Sequence, residues 1–270
     1  MLKIESLSKT FHAHTVNEVR ALQNVNLTVA NGSFTAIIGT NGSGKSTLLN
    51  AVAGTFEPDA GRIFLDGQEI SRWSEYRRAA YIGRVFQNPF AGTVAEMTIA
   101  ENIVIATKRG KRRSLHLAVT NAFRDEVVER VRTLKMGLED RLDNPIGTLS
   151  GGQRQALTLL MAAWQRPKIL LLDEHTAALD PKSAVKVAEL TKMIIEQEQL
   201  TALMVTHSMQ QAVDLPDRII MMHRGRIVED FQQERKRRVR VPDLIGTFDR
   251  VQKRELFDES VAHMLAEQYR

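Results

Sequence analysis

A glycine-rich segment between an apolar stretch and a helix-forming stretch has the composition of a phosphate-binding loop. Residues 39–47 are Gly-Thr-Asn-Gly-Ser-Gly-Lys-Ser-Thr, which fits G-x-x-x-x-G-K-[ST] at every fixed position. Glycines let such a loop curl so that backbone N–H groups point at a phosphate chain, and the following helix N-terminus adds partial positive charge. The sequence therefore predicts a nucleoside triphosphate site. Its residues are Gly39, Thr40, Asn41, Gly42, Ser43, Gly44, Lys45 for the outer phosphates, Ser46 for Mg²⁺, and Thr47.

Two carboxylates follow a second apolar stretch. Asp173 and Glu174 come directly after the aliphatic residues 169–172. A carboxylate at the C-terminal end of a buried strand lies where an α/β sheet collects its ligands. Asp173 could hold the hydration shell of Mg²⁺, and Glu174 could polarise a water toward the γ-phosphate. By itself the pair could equally be solvated charge at a strand end, but the phosphate loop upstream favours the catalytic interpretation.

Alternating strands and helices are predicted to position these residues. Unbroken apolarity at 169–172 is typical of a strand covered on both faces, as in a parallel sheet. The predicted strands are 2–10 and 21–29 (an antiparallel pair), 34–38, 62–65, 168–172, 201–205, and a hairpin of 218–222 and 226–229. The predicted helices are 48–52, 152–164, 182–198 and a short one before the hairpin. We expect an α/β fold: a P-loop NTPase core with a mostly parallel sheet, an antiparallel β subdomain and an inserted helical subdomain.

The helical subdomain is predicted from a change of periodicity after residue 87. One apolar helix face recurs at three- and four-residue spacing, with Val119, Phe123, Val127, Val131 and Leu134. The predicted boundaries are 1–87 and 149–230 for the core and 88–148 for the inserted subdomain. Residues 231–270 form a polar tail with a candidate amphipathic helix, whose apolar residues are Leu256, Phe257, Val261, Met264 and Leu265.

The net charge of +5 is confined to two short runs. Residues 108–113 and 235–240 each hold five of the 37 basic residues, and the other 27 face 32 acidic ones. The runs could attract phosphate or an anionic membrane surface, but such runs are more often solvated loops. We expect no nucleic-acid partner. With no cysteine, no apolar stretch near 20 residues and no signal-like start, we expect a soluble protein of the cytoplasm.

The segment Leu149-Ser150-Gly151-Gly152-Gln153 closely resembles the signature of ABC-type ATPases. Other markers of that family follow in the correct order over residues 1–230. Gln87 resembles the Q-loop glutamine, His207 the switch histidine, and Asp180 the end of the D-loop. Phe11 stands where that family has the aromatic residue that stacks on adenine. The resemblance implies that Glu174, His207 and Gln87 are catalytic, that Ser46, Gln87 and Asp173 hold the metal, and that ATP and Mg²⁺ are the cofactors. It also adds nucleotide contacts, namely Phe11, Ser150, Gly151, Gly152, Gln153 and Asp180.

Two positions depart from the family pattern. His175 stands where the family usually has proline, and Ala177 replaces a common D-loop serine. His175 could tune turnover near the γ-phosphate or could be structural. His12 and His14 could suggest a metal pair, but the sequence offers them no third ligand nearby, so we reject that interpretation.

The resemblance further implies a head-to-tail dimer. Each signature would close on the phosphate loop of a second ATPase subunit, because Ser150 and the amides of Gly151 and Gly152 form another anion-binding helix start. Separate membrane permease subunits and a solute-binding protein are the other expected partners, with the chain at the cytoplasmic face of the inner or plasma membrane. Uptake of amino acids or related solutes is the expected function. An ATPase for lipoprotein release or export, or a soluble non-transport ATPase, remains the alternative.

The resemblance also implies that the permease contact lies beside the Q-loop. Residues 97–102, Met-Thr-Ile-Ala-Glu-Asn, should line a groove for a short helix of the membrane subunit. Glu101 is expected to be an exposed carboxylate that contributes little to the fold.

Overall fold

The computed structural model of the chain describes residues 1–110, 120–251 and 253, whose strands form two sheets. The strands are β1 (Leu2–Phe11), β2 (Val19–Val29), β3 (Phe34–Gly39), β4 (Ala60–Leu65), β5 (Gln68–Glu69), β6 (Ile82–Val85), β7 (Ile169–Asp173), β8 (Ala202–Val205), β9 (Arg218–His223) and β10 (Arg226–Phe231). The helices are α1 (Lys45–Ala53), α2 (Glu75–Arg78), α3 (Ile99–Thr107), α4 (Asn121–Arg132), α5 (Gly151–Ala163), α6 (Pro181–Gln197), α7 (Met209–Asp214) and α8 (Gln233–Arg238). Short 3₁₀ turns lie at Glu139–Arg141 and Ile146–Thr148, and residues 241–251 are helical.

The smaller sheet is antiparallel, in the order β2-β1-β4-β5. Leu2 of β1 pairs with Val29 on one side and Leu65 on the other, so three strand ends are in register. Leu2, Ile4 and Leu7 are buried with at most 2% of their surface exposed. The predicted antiparallel pairing of the first two strands is confirmed.

The larger sheet has the order β10-β9-β3-β8-β7-β6 and is parallel except for the β9–β10 hairpin. Side chains of successive strand residues point to opposite faces of the sheet. Each central strand therefore contributes residues to the hydrophobic core on either face. Ile37 and Leu171 pack with α1 and the antiparallel sheet, whereas Ile38 and Leu172 pack with α5 and α6. Burial on both faces explains the unbroken apolarity that predicted these strands.

One strand of this sheet was not predicted. β6, with the sequence Ile-Gly-Arg-Val, is short and carries a charged residue, so it shows neither alternation nor an apolar run. It nevertheless pairs in parallel with β7, from Ile82 opposite Ile169 to Val85 opposite Leu172. The two short helices α2 and α8 were not predicted either.

The predicted apolar helix face is confirmed in the residues that the structure describes. Val127 and Val131 of α4, and Leu134 just beyond it, are fully buried. Phe123 packs against Trp164, with ring centroids 6.3 Å apart. Val119 and the predicted amphipathic residues 256–265 lie outside the described residues. No helix that the structure describes is long and apolar enough to span a bilayer.

A buried arginine fixes the C-terminal end of α1. Arg78 is 1% exposed and donates to the carbonyl oxygens of Ala51 (2.7 Å) and Val52 (2.9 Å), in the last turn of that helix. It also donates to the carbonyl of Ser71 at 2.8 Å. Burial lowers the pKa of Arg78 to about 10, so the guanidinium remains charged at neutral pH. Last-turn carbonyls that lack helical partners are thereby satisfied.

Glu101 has a structural role that the sequence analysis did not expect. Thr98 is the N-cap of α3, and its side-chain oxygen accepts from the Glu101 backbone N–H while the Glu101 carboxylate accepts from the Thr98 backbone at 2.8 Å. This reciprocal pair is a capping box. The neighbouring Asn102 is 4% exposed and bonds to both backbone groups of Val94. The expectation that Glu101 contributes little to the fold is wrong.

Candidate active site

The phosphate loop is held between β2 and the turn of the β9–β10 hairpin. Gly44 has φ +96°, and a Cβ there would lie 2.3 Å from the carbonyl oxygen of Ala21, so only glycine fits. The backbone N–H of Gly225 donates to the Ser43 carbonyl at 3.0 Å. The hydroxyl of Ser43 is buried and has no hydrogen-bond partner within the described chain. A rigid loop with an unpaired polar group inside it fits a ligand-binding cradle.

Lys45 is enclosed by the loop. Its side chain donates to the carbonyl oxygens of Gly39 (3.0 Å) and Thr40 (2.9 Å), and the residue is 5% exposed. Burial lowers the pKa of the Lys45 ammonium, and the charges of Glu174 and Asp173 oppose that shift. The loop cation and the two carboxylates therefore lie close enough to interact electrostatically.

Ser46 and Asp173 come together at the C-terminal end of β7. The Ser46 hydroxyl lies 3.3 Å from Oδ1 of Asp173, although 127 positions separate the two residues. Hydroxyl and carboxylate oxygens are hard donors of the kind Mg²⁺ prefers, so the residues present fit this ion. Gln87, the third predicted ligand, follows β6 and is exposed. No hydrogen bond joins its amide to Ser46 or Asp173 in the part of the chain that the structure describes.

Glu174 and His207 form a close pair. Nε2 of His207 lies 2.6 Å from Oε1 of Glu174, and the Glu174 side chain is 13% exposed against 43% for His207. Glu174 has φ +46°, an unusual conformation for a residue with a side chain. Its backbone N–H donates to the Val205 carbonyl at 2.9 Å, which holds the turn after β7 against β8. Such strained residues cluster at functional sites.

Gln211 of α7 ties the two loops of this pair together, and sequence reasoning missed it. Its Oε1 accepts from the hydroxyls of Thr176 (3.1 Å) and Thr206 (3.4 Å). Thr176 lies two residues after Glu174, and Thr206 precedes His207. A glutamine in a short helix carries no sequence signal for this role, because the three residues meet only in the fold.

His175 is directed into the protein interior. The residue is 1% exposed, and Nε2 lies 2.8 Å from the Thr191 hydroxyl of α6. That hydroxyl donates to the Val187 carbonyl, so it accepts from His175. Burial lowers the pKa of His175 to about 4, and the imidazole is neutral. Of the two alternatives left open by the sequence, these contacts support the structural one.

The signature and the D-loop begin two neighbouring helices. Ser150 caps α5, accepting from the Gln153 backbone while the Gln153 amide oxygen accepts from the Ser150 backbone. Asp180 caps α6 by accepting from the Ser183 backbone N–H at 3.0 Å, and hydrogen bonding to the side chain and then to the backbone of Ser183 lowers the pKa of the Asp180 carboxyl. A Cβ on Gly152 would lie 2.7 Å from Cβ of Ser183, so glycine allows the two helix starts to touch.

The first turns of α5 also hold the Q-loop. Gln155 donates through Nε2 to the Phe86 carbonyl at 3.0 Å, and the Arg154 guanidinium lies 3.9 Å from the centroid of the Phe90 ring. Gln87 therefore lies between two residues anchored to the helix that carries the signature. Sequence reasoning did not assign Arg154 and Gln155 to the site, and the only signal for them was that both directly follow the signature.

Phe11 lies at the end of β1 and is half-buried. Its ring makes an edge contact with Phe56 at 5.4 Å, and the Lys9 ammonium lies over both rings. The stacking role predicted for Phe11 remains a prediction. Arg84 of β6 is a further residue that sequence reasoning missed, and it lies 3.7 Å from Asp173.

Residues 22–177 match the family model described as ABC transporter. A tyrosine transport ATP-binding protein of Clostridioides difficile (strain R20291) is 39% identical over 249 residues, covering 92% of this chain and 99% of that protein. The methionine import ATP-binding protein MetN of Escherichia coli (strain K12) is 34% identical over 234 residues, 85% of this chain and 64% of its own length. The spermidine/putrescine import ATP-binding protein PotA of Haemophilus influenzae (strain ATCC 51907 / DSM 11121 / KW20 / Rd) is 33% identical, and the match spans 57% of its length.

Solved structures agree with these sequence relationships. A dimeric ATP-binding cassette in a post-hydrolysis state with ADP and Pi superposes with a TM-score of 0.73 at 29% identity, covering 86% of this chain and 98% of that one. A nucleotide-free ATP-binding cassette from an ABC transporter gives a TM-score of 0.71 at 27% identity, covering 87% and 92%. The expected α/β fold of a P-loop NTPase is confirmed.

Proposed function

This chain belongs to the ABC transporter family as an ATP-binding and ATP-hydrolysing subunit, and we propose that it powers uptake of amino acids or related small solutes. The names of its relatives, which transport tyrosine or import methionine, support that solute class. The observation that carries the catalytic assignment is the Glu174–His207 pair beside Lys45, Ser46 and Asp173.

Each residue of the site has a proposed role in hydrolysis. A water oxygen attacks the γ-phosphorus, the bond to the β–γ bridging oxygen breaks, and ADP leaves with the bonding electrons. Glu174 orients this water and accepts its proton, while His207 holds the carboxylate through Oε1. Lys45 binds the outer phosphates. Ser46, Asp173 and Gln87 are the residues that would hold Mg²⁺, whose charge would neutralise that of the phosphates.

Two substitutions separate nucleotide binding from hydrolysis. Glu174→Gln removes the proton acceptor but keeps the phosphate contacts, so we expect Mg-ATP affinity within about twofold of wild type and turnover lower by about 10²–10⁴. Lys45→Ala should instead weaken ATP binding itself. Fluorescent-nucleotide binding and phosphate release measure the two quantities. Wild-type turnover by Glu174→Gln would refute the assignment of the catalytic carboxylate.

The solute class is tested by uptake. In cells that lack this chain, uptake of labelled tyrosine or methionine should fall, and wild-type chain should restore it whereas Glu174→Gln should not. Labelled spermidine serves as the control, because PotA relatives import polyamines. Loss of spermidine uptake with unchanged amino-acid uptake would overturn the proposed solute class.

The proposed assembly places this chain at the cytoplasmic face of a membrane, bound to separate permease subunits. A groove of about 860 Å³ runs between β6 and α3, lined mainly by apolar surface, and it fits a short helix. Its lining includes Tyr76, Phe86, Val104, Ile105, Lys108 and Arg109. Of the predicted segment 97–102, only Asn102 contributes, so the proposed contact lies further along α3. A solute-binding protein and a second ATPase subunit complete the proposed assembly.

A further inference from the structure

Arg84 occupies an unusual position for an arginine. It lies in β6, the edge strand of the larger sheet, opposite Leu171 of β7. Its neighbours Ile82 and Val85 are at most 5% exposed, and its own side chain is only 15% exposed. A charge is placed in such surroundings at a considerable desolvation cost, so its partners indicate what it does.

The guanidinium of Arg84 contacts both the phosphate-loop helix and the metal-site carboxylate. Nη2 donates to Oδ1 of Asn50, in α1, at 2.5 Å, and Nη1 lies 3.4 Å from the Thr55 hydroxyl just beyond that helix. Nη2 is also 3.7 Å from Oδ2 of Asp173. The face of the guanidinium rests on Phe86, 4.5 Å from the ring centroid. These contacts hold the charge in one place while Nε stays buried without a partner among the described residues.

The two oxygens of Asp173 are thereby given different neighbours. Oδ1 faces the Ser46 hydroxyl at 3.3 Å, and Oδ2 faces Arg84. Ser46 and Asn50 belong to the same helix, so one rigid element carries both the metal-site hydroxyl and the anchor of the arginine. A carboxylate held from its far oxygen presents the other oxygen in a defined direction.

We propose that Arg84 is a positioning residue for Asp173, which turns Oδ1 of the carboxylate toward the metal held with Ser46. The inference rests on the proposed role of Asp173 as a metal ligand. Arg84 touches neither nucleotide phosphate nor reacting water in this assignment, and it acts only through the carboxylate. Its charge by itself would repel a cation, so the proposal requires that orientation outweighs repulsion.

Nucleotide affinity with and without metal tests this assignment. The chain is titrated with a non-hydrolysable ATP analogue in excess Mg²⁺ and again in EDTA. The dissociation constant in EDTA divided by that in Mg²⁺ is a ratio that reports how much the metal contributes to affinity. Arg84→Met removes both the charge and the planar guanidinium donors, whereas Arg84→Lys keeps the charge but loses the planar donors. Arg130→Met is the matched control, because the Arg130 guanidinium also rests on an aromatic ring, 4.5 Å from the centroid of Trp164, and it pairs with Glu126 and the Trp164 carbonyl away from the metal site.

We expect this ratio to fall about tenfold in both Arg84 variants, which is the lower end for residues that orient a metal ligand, and to stay unchanged in Arg130→Met. Affinity in EDTA should remain within about twofold of wild type in every variant. A higher ratio in Arg84→Met with an unchanged ratio in Arg84→Lys would mean that only charge matters, and would overturn the proposal. Unchanged ratios in both would leave Arg84 a structural support of α1 and would also overturn it.

A second variant and the wild-type measurement complete the test. Asn50→Ala removes the anchor and leaves Arg84 in place, so we expect a smaller fall of the ratio even if the Arg84 variants fold poorly; no fall there would contradict the proposal. If Mg²⁺ has no effect on the affinity of the wild-type chain, the metal role of Asp173 fails together with this inference. If the wild-type ratio is large and only the Arg84 effect is missing, the inference alone fails.

Discussion

The buried imidazole of His175 couples the stability of this protein to pH. Its pKa lies at about 4 in the fold, below the ordinary value of 6.5, because burial disfavours the charged form. Between these values the unfolded chain binds a proton that the folded chain does not. The stabilisation from keeping His175 neutral is therefore fully present above about pH 6.5 and is lost as the pH falls toward about 4. The shift corresponds to about 3 kcal/mol.

His175→Gln should remove this pH dependence. Between pH 7 and pH 4.5 we expect the free energy of unfolding of the wild type to fall by about 2–3 kcal/mol more than that of His175→Gln. Urea unfolding at both pH values measures the difference. His12→Gln is the control, since His12 is exposed and should behave like the wild type. Parallel losses in wild type and His175→Gln would show that the histidine does not carry the effect.

At the scale of elements, helix starts organise the candidate site. α1 begins in the phosphate loop, α5 begins at the signature, and α6 begins at the D-loop, with Gly152 and Ser183 bringing the last two together. Each start presents backbone N–H groups that lack helical partners, so each favours an anion. In the proposed dimer the α5 start completes the site of the second subunit.

Ser150→Arg should separate the contribution of the chain's own phosphate loop from that of the α5 start to the second subunit's site. A long cation at the start of α5 would block its approach to a second subunit, whereas the phosphate loop of the same chain is untouched. We expect ATP affinity of the isolated chain to stay within about twofold and hydrolysis to fall about a hundredfold or more. Ser74→Arg is the control, because it also removes a serine N-cap, that of α2. Phosphate release and nucleotide binding are measured in both, and wild-type hydrolysis by Ser150→Arg would contradict head-to-tail pairing.

At the scale of the whole molecule, the groove between β6 and α3 is the proposed permease contact. Ile105 is 52% exposed in that groove, and an exposed apolar side chain contributes little to the fold. We expect Ile105→Arg to keep thermal stability and ATP binding but to lose co-purification with the membrane subunits. Ile245→Arg is the matched control, since Ile245 is 49% exposed and lies in the helical residues 241–251. Equal co-purification of both variants would place the contact elsewhere.

The second basic run makes local contacts in α8. Arg235 pairs with the half-buried Glu229 at 2.8 Å, and Arg238 pairs with Glu234 at 3.3 Å, where both side chains are exposed. Exposed ion pairs of this kind contribute little to stability. The solvated interpretation fits Arg235 and Arg238 but not Lys236 of the same run, which donates to the Val213 carbonyl and whose pKa is lowered by burial. In the first run Arg109 is half-buried, which lowers its pKa, so that residue is more than solvated charge.

The local sequence was sufficient to predict the phosphate loop, the central strands and the order of the motifs along the chain. The loop binds with consecutive backbone groups, so all of its requirements appear in nine adjacent residues, and strands covered on both faces must be apolar throughout. Contacts across the fold were beyond local sequence. β6 is a strand because β7 pairs with it, and Arg84 meets Asp173 only through that pairing. The capping box of Thr98 and Glu101 is different, because it spans four adjacent residues and its signal was therefore present in the local sequence. His175 faces Thr191 only in the fold, because the role of a buried side chain depends on the neighbours that tertiary packing supplies.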